Sequence, residues 1–280
     1  MAFVKGSIKN GMKHLLLIFF LSTLSLEMTA QGYPLAKERP FNSGEEIELK
    51  ATVGFIKAAE AQLKISDIIY TMKGRPTFKI DVFANTSGIF DFFSPVRDNW
   101  GTYFDTTRFV PHQFYRFISE GRFRKNEILY FDQSDKRVTV AKLEKENRQL
   151  KEKIEHNMTT NEMQDMVSGY YYLRMIDFDQ IKVGEIITIN TFFDDKEKPF
   201  SIKFMGREVV KTKLGKVNAL ILVPIMKKDG LFEEDNTLKV WLSDDLNKIP
   251  LKFQAKIFVG YLEVDVKSVK NLRHPLSIVQ

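Results

Sequence analysis

The sequence IPLKFQAKIFVGYLEVDV, residues 249–266, alternates apolar and polar side chains on both sides of one glycine. Residues i and i+2 of a strand share a face, so this alternation predicts two half-buried β-strands joined by a turn at Gly260. The apolar positions are Ile249, Leu251, Phe253, Ala255, Ile257 and Val259 before the turn, and Leu262, Val264 and Val266 after it.

The same period of two recurs along most of the chain. Residues 47–53 and 59–65 alternate in this way around Gly54 and Lys57, which predicts a hairpin. A further strand is predicted at 78–84, and three more lie within the aromatic-rich segment 100–131, which Pro111 and Gly121 interrupt. In the second half, strands are predicted at 186–193, 200–204, 208–213, 217–223 and 238–242, with turns at Gly206 and Gly215. The chain is therefore expected to consist mainly of strands.

One helix is predicted between the two groups of strands. Thr159 followed by Glu162 matches a capping box, which marks a helix start. The apolar positions that follow have helical spacing and are Met163, Met166, Val167 and Tyr170. These signals predict a helix from Thr160 to about Arg174 whose Met–Tyr stripe faces the core.

The order of the elements predicts the fold class. Strands of even length without crossover helices favour curved antiparallel sheets, either a half-open barrel or a sandwich, with the one helix packed on them. Residues 142–156 have helix-forming Glu and Lys between hairpin patterns, and their structure stays open. No linker divides residues 31–280, which predicts one domain. Gly44-Glu45 and Gly184-Glu185 open similar patterns, so two similar β halves, 41–158 and 180–270, are an alternative.

The N-terminus has the features of a secretory signal peptide. Three lysines precede the short apolar run Leu15–Leu21, and Ala30 follows at the end of a Ser/Thr-bearing stretch. This run is shorter than the roughly 20 residues of a membrane-spanning helix, so we expect cleavage after Ala30 and no remaining anchor. Met12 is an alternative start to Met1. The segment predicts export to the periplasm.

Composition excludes several classes of site. The chain has no cysteine, so it has no disulfide, thiol nucleophile or thiolate metal site. Removal of residues 1–30 takes three of the 42 basic and one of the 36 acidic residues, which lowers the net charge from +6 to +4. The basic residues are scattered among acids, whereas nucleic-acid binders cluster them on one face. No nucleic-acid partner is expected.

Seven short stretches together resemble the domain of unknown function 3108 family, which is found in exported proteins of Gram-negative bacteria. They are Phe41-Asn-Ser-Gly-Glu45 with Gly54-Phe-Ile-Lys-Ala-Ala-Glu-Ala61, Asp98-Asn-Trp100 with Pro111-His-Gln-Phe114, Tyr171-Tyr-Leu-Arg174, Val240-Trp-Leu-Ser-Asp-Asp245, and Ile249-Pro250. The resemblance spans almost all of the chain after the signal. It implies a periplasmic, mostly β protein without an established catalytic activity, and it assigns no functional residue.

No motif for catalysis or metal binding is recognisable. Three histidines remain after the signal, without metal-ligand spacing, and nucleophile-elbow and phosphate-loop motifs are absent. The adjacent carboxylates Asp244 and Asp245 fit a turn better than a catalytic pair, because adjacent side chains point apart. Glu233, Glu234 and Asp235 are interpreted as a solvated acidic loop. We therefore predict no catalytic residue, no metal and no cofactor.

Three residues are the candidates for ligand binding. Arg174 follows three tyrosines near the predicted helix end, where it can tie the helix to the sheet by pairing with Asp98 or Asp244, or hold an anion. Trp241 is predicted on the strand face opposite the neighbouring apolar residues, so it either packs under a second layer or lines a pocket. Asp244 is the third candidate.

Two functions are carried forward. The chain has 24 phenylalanines and few catalytic residue types, which favours a non-catalytic envelope protein that binds an apolar or amphipathic ligand or another envelope component. The alternative is a hydrolase acting on envelope polysaccharide or lipid. It requires that at least two of five polar residues converge in a cleft, namely Asp98, Asp244, Asp245, Glu185 and Arg174.

Overall fold

The computed structural model describes residues 32–225, 238–257 and 260–279, with backbone only at 257 and 260. The predicted signal peptide, the predicted N-terminus at Gln31, the acidic loop at 233–235 and Val259 lie outside the described residues. Within this part of the chain, strands far outnumber helices, as the period-two pattern predicts.

The first eight strands follow one another as a meander. They are β1 (Glu46–Val53), β2 (Ile56–Met72), β3 (Arg75–Thr86), β4 (Arg97–Asp105), β5 (Pro111–Glu120), β6 (Phe123–Asp132), β7 (Arg137–Leu143) and β8 (Leu150–Asn157). The undecided stretch 142–156 is thus the end of β7, a turn and most of β8. The three strands predicted between residues 100 and 131 are present as β4, β5 and β6.

The second half of the chain supplies nine more strands. They are β9 (Ile186–Ile189), β10 (Phe192–Phe193), β11 (Lys196–Glu197), β12 (Phe200–Thr212), β13 (Gly215–Ile225), β14 (Leu238–Ser243), β15 (Pro250–Ile257), β16 (Gly260–Lys270) and β17 (Ile278–Val279). The predicted turn at Gly206 is wrong, because β12 runs through this residue. Gly206 lies at a register shift in the pairing of β12 with β13, with a φ of 115°, so it forms a bulge instead.

All the large strands belong to one antiparallel sheet. Its order is β8-β7-β6-β5-β4-β3-β2-β1-β16-β15-β14-β13-β12-β9, with β17 added beside β13 and β10-β11 as a separate hairpin. The two halves of the chain meet where β1 pairs with β16. The end strands β8 and β9 do not pair with each other, so the sheet is an unclosed barrel and not a two-sheet sandwich.

Two helices accompany the sheet in the described residues, α1 (Gly88–Phe93) and α2 (Met166–Met175). The sequence analysis missed α1. The predicted start of α2 at Thr160 is wrong, because Asp165 is the N-cap: its carboxylate accepts from the backbone N–H groups of Val167 and Ser168. Thr159, the predicted cap, binds Glu197 instead.

Helix α2 lies inside the curve of the sheet. Val167, Tyr171 and Met175 belong to a core cluster with residues of β2 to β7, whereas Tyr172 and Leu173 belong to a second cluster with residues of β9, β12, β13 and β14. The helix therefore packs on both halves of the sheet at once. Its remaining face bounds the cavity described next.

Candidate functional site

An apolar cavity of about 420 Å³ lies between α2 and the strands that join the two halves of the sheet. We call it the apolar groove. From α2 it is lined by Met166, Gly169, Tyr170 and Leu173, and from the sheet chiefly by Leu49, Leu63, Phe200, Ile202, Leu222, Pro224, Val240, Leu242, Phe253 and Val264. Gly169 contributes no side chain, which leaves room between its neighbours on the helix.

The sheet wall of the apolar groove arises from the strand register. Leu222 pairs with Val240, Val240 with Phe253, and Phe253 with Val264, so these four residues lie opposite one another across β13 to β16. Directly paired residues of antiparallel strands point to the same face. The alternating pattern of each strand therefore combines into one continuous apolar surface.

This surface is partly open to solvent. Met166 is 38% exposed, and Val240, Phe253 and Phe200 are half-buried although they line a cavity. Apolar area in contact with water costs about 25 cal/mol per Å², so an apolar ligand that displaces the water is favoured. The shape and chemistry of the groove suit such a ligand.

Polar groups are few along the described lining. The Tyr170 hydroxyl is buried and has no hydrogen-bond partner among the described residues. Burial raises the pKa of this phenol well above its usual value, so it stays protonated and able to donate. The Thr191 hydroxyl donates to the Lys198 carbonyl, and the Lys252 amine lies 3.4 Å from the Glu263 carboxylate. The described lining contains no carboxylate or histidine for acid–base chemistry.

Arg174 is completely buried at the last turn of α2. Its guanidinium binds the Glu45 carboxylate through two hydrogen bonds of 2.6 and 2.8 Å, and it donates to the carbonyls of Asn247 and Pro40. The predicted partners Asp98 and Asp244 are wrong. Glu45 precedes β1, so the ion pair ties α2 to the strand at the centre of the sheet. The carboxylate raises the pKa of Arg174, which keeps the pair ionised against the cost of burial.

Trp241 lies on the face of β14 opposite Val240, and it is 7% exposed. It belongs to a buried cluster with Val210, Val217 and Ala219, against which Leu272 and Leu276 of the C-terminal segment pack. Its indole N–H donates to the Glu208 carboxylate. Of the two arrangements predicted for Trp241, the structure shows the covered one, and the apolar groove lies on the other side of the strand.

Asp244 and Asp245 both line a second, polar cleft of about 410 Å³ beside Lys248. The Asp244 carboxylate binds Arg207 at 2.9 Å. The Asp245 carboxylate accepts from the backbone N–H groups of Asn247, Lys248 and Ser277, so it holds the turn between β14 and β15. The predicted turn is therefore present, and both carboxylates are engaged in it or in an ion pair.

The other residues named for the hydrolase alternative are elsewhere. Asp98 accepts from the Ser119 backbone N–H at 2.9 Å, Glu185 accepts from the Lys182 backbone N–H at 3.1 Å, and Arg174 pairs with Glu45. Of these five residues, the clefts in the described part of the chain bring together only the adjacent pair Asp244 and Asp245. Among the residues that the structure describes, no group of three or more His, Asp or Glu side chains could hold a metal ion.

The sequence analysis named Met166 and Tyr170 but assigned them to the core, and it missed the other two groove-lining residues of α2, Gly169 and Leu173. Met166, Gly169, Tyr170 and Leu173 have the i, i+3, i+4, i+7 spacing of one helix face, and all four line the groove. The predicted stripe began at Met163, which precedes the helix. A helix start placed at Asp165 from its Asp-x-x-Ser spacing would have identified the correct face.

Three of the solved structures that match the chain differ widely from it in sequence. A β-barrel-like protein of the domain of unknown function DUF1849 from Brucella abortus matches 85% of this chain and 100% of its own, with a TM-score of 0.51 and 8% identity. A candidate lipoprotein from Parabacteroides distasonis matches 82% of this chain and 97% of its own, with 9% identity and a TM-score of 0.33. A candidate exported protein with a YmcC-like fold from Bacteroides fragilis matches 83% of this chain and 98% of its own, with 8% identity and a TM-score of 0.33.

Further comparisons concern sequence and membrane spans. No curated protein sequence matches the chain. In the described part of the chain, none of the helices has the length and apolar character needed to cross a membrane. The family described as "Protein of unknown function (DUF3108)" matches residues 48–267, which are more than three quarters of the sequence and include β2 to β15 and most of β1 and β16. The chain belongs to the DUF3108 family.

Proposed function

We propose that this protein is an exported, non-catalytic component of the cell envelope that holds an apolar or amphipathic ligand in the apolar groove. The observation that carries the proposal is the groove itself: about 420 Å³ of cavity with an almost entirely apolar lining. Small-molecule sites in proteins have volumes of roughly 300–1,000 Å³ and combine an apolar lining with a few polar groups. The groove fits this description.

The chemistry of the lining favours an acyl chain or a similar hydrocarbon. Each buried methylene contributes about 0.8 kcal/mol, so a chain that replaces water along the sheet wall gains affinity with its length. The Tyr170 hydroxyl is the one buried polar group of the described lining that lacks a partner, and a carbonyl or carboxylate oxygen of the ligand could accept from it once the side chains that cover it move. An amphipathic lipid supplies both parts.

Export to the periplasm is part of the proposal. Its support is the N-terminal sequence, in which three lysines precede the apolar run Leu15–Leu21 and a small residue at position 30. An envelope location would bring the protein close to lipids. The proposed location in the envelope is therefore consistent with a lipid as the proposed ligand.

Native mass spectrometry of the protein purified from the periplasm tests the proposal. We expect a second mass series from a copurified lipid or fatty acid, released when the protein is unfolded. Val240→Phe enlarges a side chain within the groove and should remove that series. Lys239→Phe, at an exposed neighbouring residue of β14 that does not line the groove, is the matched control and should keep it. Repeated absence of bound material from the unmodified protein would count against the proposal.

A further inference from the structure

Exposed aromatic and aliphatic side chains gather at one edge of the sheet. They are Phe55 in the β1–β2 turn, Ile89, Phe92 and Phe93 in α1, Phe123 after the β5–β6 turn and Tyr261 after the β15–β16 turn. We call this set the aromatic rim. Phe55 is 97%, Phe92 83% and Phe93 76% exposed. In the described residues, every phenylalanine among the exposed large apolar side chains belongs to the rim.

Backbone hydrogen bonds connect the rim turns to one another. The Gly54 N–H donates to the Tyr261 carbonyl, the Ser87 N–H to the Ala58 carbonyl at 2.9 Å, and the Gly121 N–H to the Pro95 carbonyl at 2.8 Å. These bonds join the β15–β16, β1–β2, α1 and β5–β6 segments in sequence. The segments that carry the exposed side chains are therefore neighbours along one edge of the sheet.

The basic charge of the rim lies at Arg122 and Arg124. The three segments 54–57, 87–97 and 121–125 contain five basic residues, but Lys57 pairs with Glu60, Arg97 with Asp91, and Lys125 with Asp194 and Glu127. Among the described residues, Arg122 and Arg124 form no ion pair with a carboxylate. Arg122 and Arg124 flank the exposed Phe123 directly. Basic residues near an anionic lipid surface are attracted to it electrostatically.

We propose that the aromatic rim docks this protein on the surface of a lipid bilayer that contains anionic phospholipids. Interfacial segments bury aromatic side chains about 5–10 Å into the boundary between headgroups and acyl chains, with basic residues at the headgroups. The rim has this combination. Its apolar side chains stand on separate turn tips, which suits insertion between lipids better than contact with a flat protein surface.

The position of the apolar groove agrees with this orientation. Phe200 and Pro224 line the groove and lie at the ends of β12 and β13 on the same edge of the sheet as the rim. The groove therefore extends to the edge that would face the lipid. Docking does not require the groove to be occupied, so it can fail or hold independently of the proposed function.

Vesicle flotation with the protein purified from the periplasm tests the docking. We expect it to float with phosphatidylcholine vesicles that contain phosphatidylglycerol, and less with phosphatidylcholine alone or at high salt. The rim variant Phe55→Ser/Phe92→Ser/Phe93→Ser should lower the bound fraction at least about tenfold, because it removes three of the apolar side chains that enter the lipid. The control Ile68→Ser/Tyr130→Ser/Val209→Ser removes three exposed apolar side chains away from the rim and should bind as the unmodified protein does.

Three results would overturn the docking: no flotation with either vesicle, equal flotation of the rim and control variants, or flotation that is indifferent to anionic lipid and salt. Size-exclusion chromatography gives a fourth. A dimer that the rim variant abolishes, without any vesicle binding, would assign the rim to a second copy of the chain. Vesicle binding retained by Val240→Phe, together with loss of its copurified ligand, would show that docking and ligand binding are separate properties.

Discussion

At the scale of single residues, the buried pair Arg174–Glu45 shows how polar groups fix this fold. Both side chains are completely buried, and Arg174 uses its Nε and both terminal nitrogens for hydrogen bonds to the Glu45 carboxylate and two carbonyls. Burying either charge alone would cost several kcal/mol, which the bidentate geometry offsets. The residue therefore acts in the structure as a tie between α2 and the start of β1.

The first prediction concerns this pair. Arg174→Ala should lower the free energy of unfolding by about 3–5 kcal/mol, because it leaves the Glu45 carboxylate buried without a counter-charge. Arg174→Met combined with Glu45→Leu removes both charges and should cost less than Arg174→Ala alone. Urea unfolding of the three proteins measures the difference. A double variant that is less stable than Arg174→Ala would refute this explanation.

The second prediction concerns Trp241. Because this side chain is covered by the C-terminal segment, Trp241→Ala should cost about 3–5 kcal/mol, the usual penalty for a large buried aromatic. Acrylamide should quench the fluorescence of Trp241 weakly in a Trp100→Phe background, with or without an added fatty acid. Strong quenching that a fatty acid suppresses would instead place the tryptophan at a ligand site.

At the scale of elements, helix α2 depends on one buried carboxylate. Asp165 is fully buried, caps the helix and also accepts a hydrogen bond of 2.6 Å from the Thr102 hydroxyl on β4. Burial raises the pKa of Asp165 to about 6, although the four hydrogen bonds to it act in the opposite direction. The cap thus orients the helix against the sheet at the cost of a desolvated charge.

The third prediction follows from this pKa. The folded protein binds a proton to Asp165 more tightly than the unfolded chain does, so this residue's contribution to stability falls as the pH rises from about 4 to about 6, by on the order of 3 kcal/mol. Asp165→Asn lacks this titration. Its stability should therefore rise relative to the unmodified protein across the same interval, measured by urea unfolding at several pH values. A difference that does not change with pH would contradict the assignment.

The elements also show what could be predicted from the sequence. Strands such as β15 were recognisable because their alternation is local. The start of α2 was not, because Thr159–Glu162 and Asp165–Ser168 both resemble caps, and the choice depends on Thr102, which is distant in sequence. The apolar groove was hidden for the same reason: it forms only when Leu222, Val240, Phe253 and Val264 meet through strand register.

At the scale of the whole molecule, one unclosed sheet curves around α2 and leaves an apolar groove on its inner side. Three clusters of buried apolar side chains fill the rest of the interior. The groove lies beside the face of α2 that these clusters do not cover. The two halves of the chain share the sheet, whereas the weak internal repeat between residues 41–158 and 180–270 stays a prediction.

The fourth prediction concerns the exported form. We expect the protein recovered from the periplasm to begin at Gln31, because the apolar run before it is too short for a permanent anchor and Ala30 is a suitable small residue at the cleavage site. Intact-mass measurement distinguishes this form from the full chain. A mass that retains residues 1–30 would contradict both cleavage and the proposed release into the periplasm.

The fifth prediction is that the apolar groove binds an acyl chain. Equilibrium titration of the delipidated protein with a fluorescent fatty acid should give saturable binding of one molecule per chain, which unlabelled fatty acid displaces. Val240→Phe should weaken this binding at least about tenfold, because a single lost contact or clash of roughly 1.4 kcal/mol has that effect. Lys239→Phe should leave it unchanged. Absence of saturable binding, or equal affinity in the two variants, would contradict the assignment of the groove as the ligand site.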